Sequence, residues 1–218
     1  MAVADNIQTG SGRRRLLWLT PIALYLIFVA WYTDFGGPLS DTEVDDFVAT
    51  LQARGAPPHR IAFFEAFLRK DSGRQFFMIN AIDMSENPPA VEGAAPGENA
   101  DQLMARYMGH MIPELFKRAC HPVMMGKAIY PAIDIVALDG AEDWTDGAVF
   151  RYRSRRSFME IIANPATNDR HQFKLAALEK TIAYPIETSL YLGDPRLLAG
   201  LLLLVLTALL DIALFSRR

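Results

Sequence analysis

The sequence predicts an α+β domain carried between two membrane-spanning helices. Three observations lead there. Two apolar segments stand at opposite ends of the chain, each with arginines on its outer flank. Two short runs of helical periodicity follow the first segment, and after them strand and helix patterns alternate in the order β, α, β, β, α, β.

Residues 16–32 and 197–215 offer 17 and 19 positions with no charge except Asp211. A bilayer core of roughly 30 Å needs about 20 helical residues, so both are expected to span. Arg13, Arg14 and Arg15 precede the first span and Arg217 and Arg218 follow the second. The excess of cytoplasmic positive charge then puts both termini inside the cell membrane and the central domain in the periplasmic or extracellular space. Trp31 and Tyr32 at the outer end, with Trp18 near the inner one, suit the aromatic belts of the two interfaces. The residues after the first span, Val29 to Asp34, lack the small-x-small pattern of a signal-peptidase site, so an uncleaved anchor is expected. Pro21 is expected in the first turns of the helix, where its missing donor does little harm. Asp211 lies one turn before Phe215, near the cytoplasmic headgroups, and is expected to pair with Arg14, Arg15, Arg217 or Arg218. No second carboxylate or histidine in either span supports a proton relay. The expected division is a tail at 1–15, a span at 16–33, a helical lead-in at 34–74 and the α+β domain at 75–187. A linker at 188–196, the second span at 197–215 and a tail at 216–218 complete it.

The chain holds 25 acidic and 22 basic residues; two acids and five arginines belong to the terminal parts, leaving 23 against 17 between Asp34 and Arg196. That acidic balance argues against a nucleic-acid surface, which needs a basic face. Cys120 is the only cysteine, so an intrachain disulfide is excluded. It reads as a buried apolar side chain, with an intermolecular bridge as the alternative.

Gly36, Gly37 and Pro38 end the first span, and Ser40 with Glu43 forms a capping box. Val44, Phe47, Val48 and Leu51 then recur at helical spacing until Gly55, Pro57 and Pro58; Ile61, Phe64 and Leu68 mark a second helix up to the Asp71, Ser72, Gly73 turn. Residues 75–83 read as a buried strand and 86–99, rich in Pro, Gly and Ala, as a surface loop. Residues 100–118 read as a helix that Pro113 should kink or divide. Residues 123–136, apolar and β-branched, read as one bent strand or two short ones meeting at Pro131, followed by an acidic turn around Trp144. Residues 147–153 are a third strand. Residues 154–163 and 167–181 are helices separated at Asn164 and Pro165, and 182–186 close as a last strand. Counting the two late helices as one broken element, the order is the βαββαβ of a ferredoxin-like domain, an antiparallel sheet with helices on one face.

Phe76 to Ile82 (FFMINAI), His121 to Gly126 (HPVMMG), Trp144 before a strand and Phe150 to Pro165 (FRYRSRRSFMEIIANP) resemble an uncharacterised family of small dimeric α/β-barrel proteins. The resemblance covers residues 75–187. It implies two sheets paired through their open faces, hence a homodimer, and a small-molecule pocket between each sheet and its helices or within the shared barrel. Relatives across that superfamily include cofactor-free monooxygenases, lactone isomerases, haem enzymes and members without known activity, so fold alone selects none of them. The two leading helices and the two spans depart from the small cytosolic form.

On an alternating strand Arg151 and Arg153 share one face and Phe150 and Tyr152 the other. If the aromatic pair meets the helices, the arginines lie on the opposite face, where guanidinium groups could hold a carboxylate or phosphate. Asn80 and Lys127, polar interruptions of apolar strands, are further ligand-binding candidates. The alternative for these bases is pairing with Asp83, Asp134 or Glu160 at a strand end or dimer interface. Arg155 and Arg156, opening a helix, read as solvated. His110 with Tyr107 is the candidate catalytic pair, on one helix that could line a pocket, against a buried structural histidine. His171 reads as a capping or surface group and His59 as exposed. Cys120 and His121 point apart on an extended chain, so no metal spacing is present. The cofactor is left unspecified: no phosphate-cradling glycine loop, nucleophile elbow or carboxylate-rich metal motif occurs.

Two functions follow. The first is a membrane-tethered exported domain that binds a small ligand or an envelope protein partner. The second is an enzyme of the dimeric α/β-barrel type, oxygenase-like or isomerase-like, acting on an anionic or hydrophobic small molecule.

Overall fold

The computed structural model describes residues 2–216. In chain order the elements are α1 (Ala2–Tyr32), α2 (Asp41–Ala53), α3 (Pro58–Arg69), β1 (Phe76–Met84), α4 (Ala100–Lys117), β2 (His121–Lys127), β3 (Asp146–Tyr152), α5 (Arg155–Ile162), α6 (Pro165–Ala177), β4 (Leu178–Ile186) and α7 (Pro195–Phe215). They divide into two compact units, one of α1 with α7 and the other of residues 34–188.

In the first unit two antiparallel helices, both long and apolar enough to cross a membrane, are tied at each end. Arg14 donates through Nε and a terminal nitrogen to the two oxygens of Asp211, both at 2.7 Å. This is a bidentate pair that fixes direction as well as distance. Towards the other end Tyr25 donates to the carbonyl of Arg196 at 3.1 Å, and Arg196 reaches Thr33 and Asp194. Gly200 admits the Tyr25 ring, since a Cβ there would lie 3.3 Å from it. The start of α1 corrects the expectation: the helix runs back to Ala2, so Pro21 falls in its interior. Once nucleated a helix gains one bond per added residue, so it continues beyond the apolar stretch that marks it in the sequence.

The second unit is an α+β domain of ferredoxin-like topology. Its four strands are all antiparallel in the order β2-β3-β1-β4. Strand alternation and cross-strand register give the sheet two unlike faces. On the helix-covered face the rows are Phe76 with Tyr152; Pro185, Met78, Phe150 and Pro122; Ala183, Asn80, Ala148 and Met125; and Thr181, Ile82, Asp146 and Lys127. The first row is a stacked pair at 5.1 Å. Phe158 of α5 meets both rings edge-on, at 5.0 Å from Tyr152 and 5.6 Å from Phe76. Phe67 of α3 stands edge-on to Phe76 and Phe158 at 5.7 and 5.9 Å. The lead-in helices are therefore part of the core, with Val44, Leu51 and Leu68 buried in it.

Side-chain caps start the helices where the sequence supplies them. Ser40 and Glu43 form the expected box, and Asn99 with Gln102 forms a second at α4. Ser154 caps α5, and Asn164 with Pro165 opens α6. Gly73, at φ +72°, lies against the backbone of Gly37 and Pro38, where a Cβ would approach to 2.6 Å; only glycine fits that turn.

Four expectations are corrected. Helix α4 runs through Pro113 undivided. The strand at 123–136 is only β2, ending at Lys127; beyond it Ile129 and Ile133 are 99% and 96% exposed. β3 begins only at Asp146, so the following residues have no strand to pair with, and an apolar β-branched run alone does not make one. Strand β4 starts at Leu178, because residues expected to extend α6 pair with β1 from Ile82 to Met84, around a bulge. Arg155 and Arg156 are not solvated: Arg155 lies 4.4 Å over the Phe67 ring, bonds the Phe67 carbonyl and pairs with Asp71 and Glu187. Arg156 pairs with Glu43 at 2.6 Å and Asp34 at 3.1 Å. Its hydrogen bonds hold the Glu43 carboxyl down to about 2. Asp34, Glu43 and Asp71 come from the lead-in segment and Glu187 from just past the end of β4, all distant in sequence.

The aromatic cluster makes a direct prediction. Phe158→Ala should lower the unfolding free energy of the domain by about 3–5 kcal/mol, the usual range for deleting a buried ring, measured by denaturant titration. A loss below about 1 kcal/mol would remove the cluster from its role.

Candidate functional site

Row by row, the helix-covered face goes from large to small. Phe76, Tyr152, Met78 and Phe150 fill the layer under α3 and α5, whereas Ala183, Asn80 and Ala148 leave it unfilled. A cavity of about 700 Å³ lies there, between the sheet and α3, α4, α5 and α6. Its walls are mostly apolar: Met78, Ile82 and Met84 from β1, Met104, Met108 and Met111 from α4, Met125 from β2, and Phe63, Phe64 and Phe67 from α3. Thioethers on flexible stems make such walls adaptable to the shape of an occupant.

Of the residues singled out in the sequence, Asn80, Lys127 and Tyr107 line this cavity. The Asn80 amide nitrogen donates to the carbonyls of Met78 at 3.0 Å and Ala148 at 3.2 Å, so its position is fixed. Lys127 lies 3.1 Å from Asp146 and 3.9 Å from Asp101. Burial pushes the Tyr107 phenol up to about 12, leaving a neutral donor at pH 7. His110 stands behind the wall, its Nε2 3.1 Å from the hydroxyl of Thr167, which does line the cavity. Arg151 belongs to the other face of β3, and Arg153, expected on that same strand face, lies instead just past the end of the strand. Arg151 is 1% exposed and donates to Gln75 at 2.8 Å and to the Ala119 carbonyl at 2.6 Å. Arg153 donates to Ser157 at 3.2 Å.

The sequence reading missed the groups that give the cavity its charge. His171, Lys174 and Arg60 line it together. Lys174 lies 5.8 Å over the Tyr107 ring and His171 stands edge-on to the same ring at 6.1 Å. Burial, with Lys174 and Arg60 nearby, holds the imidazole below its ordinary value, and burial lowers the Lys174 ammonium. The available signal was the spacing of His171 and Lys174 at i and i+3, which puts both on one face of α6. Tyr152 also lines the cavity, its phenol pushed strongly upwards by burial.

Cys120 is fully buried, accepts the backbone N–H of Arg153 at 3.3 Å and has its thiol pushed up to about 11 by burial. It packs as a small buried side chain, as expected of the apolar reading. Among the described residues no three of His, Cys, Asp and Glu cluster to hold a metal ion.

Fold and site together define a ferredoxin-like α+β domain with an apolar, cation-bearing cavity between sheet and helices. No protein-family model and no curated protein matches the chain. Among solved structures it is similar to a protein of unknown function from Rhodopseudomonas palustris, at 18% identity. In its methylated form that protein gives a TM-score of 0.50, covering 63% of this chain and 95% of that one; its other structure gives 0.49, with 62% and 95% covered. Hydroxynitrile lyase from Passiflora edulis matches at 15% identity and a TM-score of 0.36, over 54% of this chain and 97% of that one. A dimeric ferredoxin-like protein of unknown function from Jannaschia sp. CCS1 matches at 12% and 0.32, over 52% and 99%. Likeness at these identities concerns the fold, and at that level the resemblance read from the sequence holds.

Proposed function

We propose that this chain is a membrane-tethered, exported binding domain that takes an apolar small molecule into its sheet–helix cavity and pairs with a second copy through the open sheet face. The carrying observation is the cavity itself, whose volume of about 700 Å³ falls among small-molecule sites of roughly 300–1,000 Å³. Pairing is supported by the central row of the open face, Tyr184, Ile79, Val149 and Met124, which is apolar and has Tyr184 and Met124 exposed. Tethering is supported by the two apolar helices with arginines at their outer flanks. In this reading residues 34–187 are the exported part and both termini are cytoplasmic.

A second reading, a cofactor-free enzyme, is favoured by one observation. His171, held neutral near pH 7, and the Tyr107 phenol border the same apolar space, which suits proton transfer to or from a bound molecule. Turnover of the bound molecule separates the two readings.

A neutral fatty alcohol carrying an alkyl diazirine, photolysed in membranes containing the full chain, should label peptides of α4 and β1 as well as the spans. Met108→Trp, which fills the cavity from α4, should abolish the α4 and β1 adducts and spare those on the spans. Adducts confined to the spans in the native chain would contradict the cavity's role.

Topology has a separate test. With Cys120 replaced, single cysteines at either terminus should resist an impermeant thiol reagent applied to intact cells, and one placed in the 86–99 loop should react. Labelled termini would overturn the arrangement.

A further inference from the structure

The charge inside the cavity is lopsided in a way that names a ligand class. The acidic residues of its lining are Asp101 and Asp146, and both face Lys127, at 3.9 and 3.1 Å. Arg54, a further lining cation, is taken up by the carbonyls of Ile162 and Ala163. Arg60 and Lys174 remain. Among the described residues neither side chain has a hydrogen bond or an ion pair; each lies 5.8 Å over an aromatic ring, Phe64 for Arg60 and Tyr107 for Lys174. Lys174 is half-buried, whereas Arg60 lines the cavity from an exposed position; a cation drawn partly out of water without an anion is costly, and the ring face under Lys174 returns only part of the lost hydration. His171, one helical turn before Lys174, feels the positive charge of both. Elsewhere in the domain Arg69, Arg106, Arg118, Arg155 and Arg156 each meet a carboxylate. Of the cations that line the cavity, Arg60 and Lys174 are the two without an oxygen partner among the described residues.

We propose that Arg60, His171 and Lys174 hold the carboxylate of an amphipathic acid whose apolar body lies along the methionine walls of α4 and β1. The inference rests on the apolar-cavity reading above and deepens it. A fatty-acid-like monoanion fits both halves of the site. Its head receives a guanidinium and an ammonium, with the neutral Tyr107 phenol, beside Lys174 and His171 of α6, as a further donor. Its tail meets Met78, Met104, Met108 and Met111, which have no polar group to satisfy. Arg60 comes from α3, in the lead-in segment, so the added helices would supply part of the recognition as well as part of the core.

The experiment compares a diazirine-bearing fatty acid with the corresponding alcohol in membranes containing the full chain at about pH 7.5. The acid should reach half-maximal labelling of the α4 and β1 peptides at about tenfold lower concentration, the effect of one charge-assisted contact. In Arg60→Gln and Lys174→Gln this preference should fall towards parity, whereas Lys174→Arg, which keeps the charge, should retain it. Circular dichroism of each variant shows that the fold is kept. Equal labelling by acid and alcohol in the native chain, or a preference that survives both Gln variants, would overturn the head-group assignment and leave the apolar cavity standing. Failure of both probes to label the cavity peptides would overturn the cavity reading and the assignment with it.

Discussion

The cross-strand pair of Phe76 and Tyr152, stacked at 5.1 Å and capped edge-on by Phe158, is the constraint from which the rest of the domain follows. It joins the two central strands to α5, and Phe67 extends it to α3. Aromatic groups of this size fill much of the space between sheet and helices, and Phe67, Tyr152 and Phe158 form part of the cavity wall. Two rows further along the strands the face carries Ala183, Asn80 and Ala148. Those side chains cannot reach the helices that the aromatic cluster holds at a fixed height. The cavity is thus a consequence of strand register: large residues set the spacing and small ones leave it open.

The same alternation separates two kinds of arginine. Arg151, one residue from Tyr152, is turned to the opposite face, where Gln75 and the Ala119 carbonyl satisfy it. Arg155 and Arg156 tie α5 to the lead-in segment through Asp71, Glu43 and Asp34, and to the end of β4 through Glu187. These groups are structural because each already faces oxygen acceptors. Arg60 and Lys174 line the cavity with no such acceptor among the described residues, Lys174 half-buried and Arg60 exposed.

Much of the fold was legible because its signals are local. The capping box at Ser40 and Glu43, the break at Asn164 and Pro165, and the apolar run of β1 depend on neighbours in sequence. Errors arose where distant partners decide. Residues 178–181 look helical and become strand because β1 offers them a ladder, and 128–136 look like strand and remain outside the sheet because none is offered. The site was legible only in part for the same reason. Asn80, Lys127 and Tyr107 stand out as polar groups in apolar elements. Arg60 and Lys174 look like ordinary surface bases until tertiary structure brings α3 and α6 to one cavity. Asp211 was expected to pair with one of Arg14, Arg15, Arg217 or Arg218, which flank the same end of the expected spans, and Arg14 meets it.

Native mass spectrometry of the full chain released from mild detergent tests the cavity as a ligand site most directly. Each chain should carry one bound small molecule of apolar character, and Ala148→Leu, which fills the small-residue row while leaving the Phe76, Tyr152 and Phe158 cluster intact, should lose it. A native chain free of any adduct, or an adduct retained undiminished in Ala148→Leu, would contradict it.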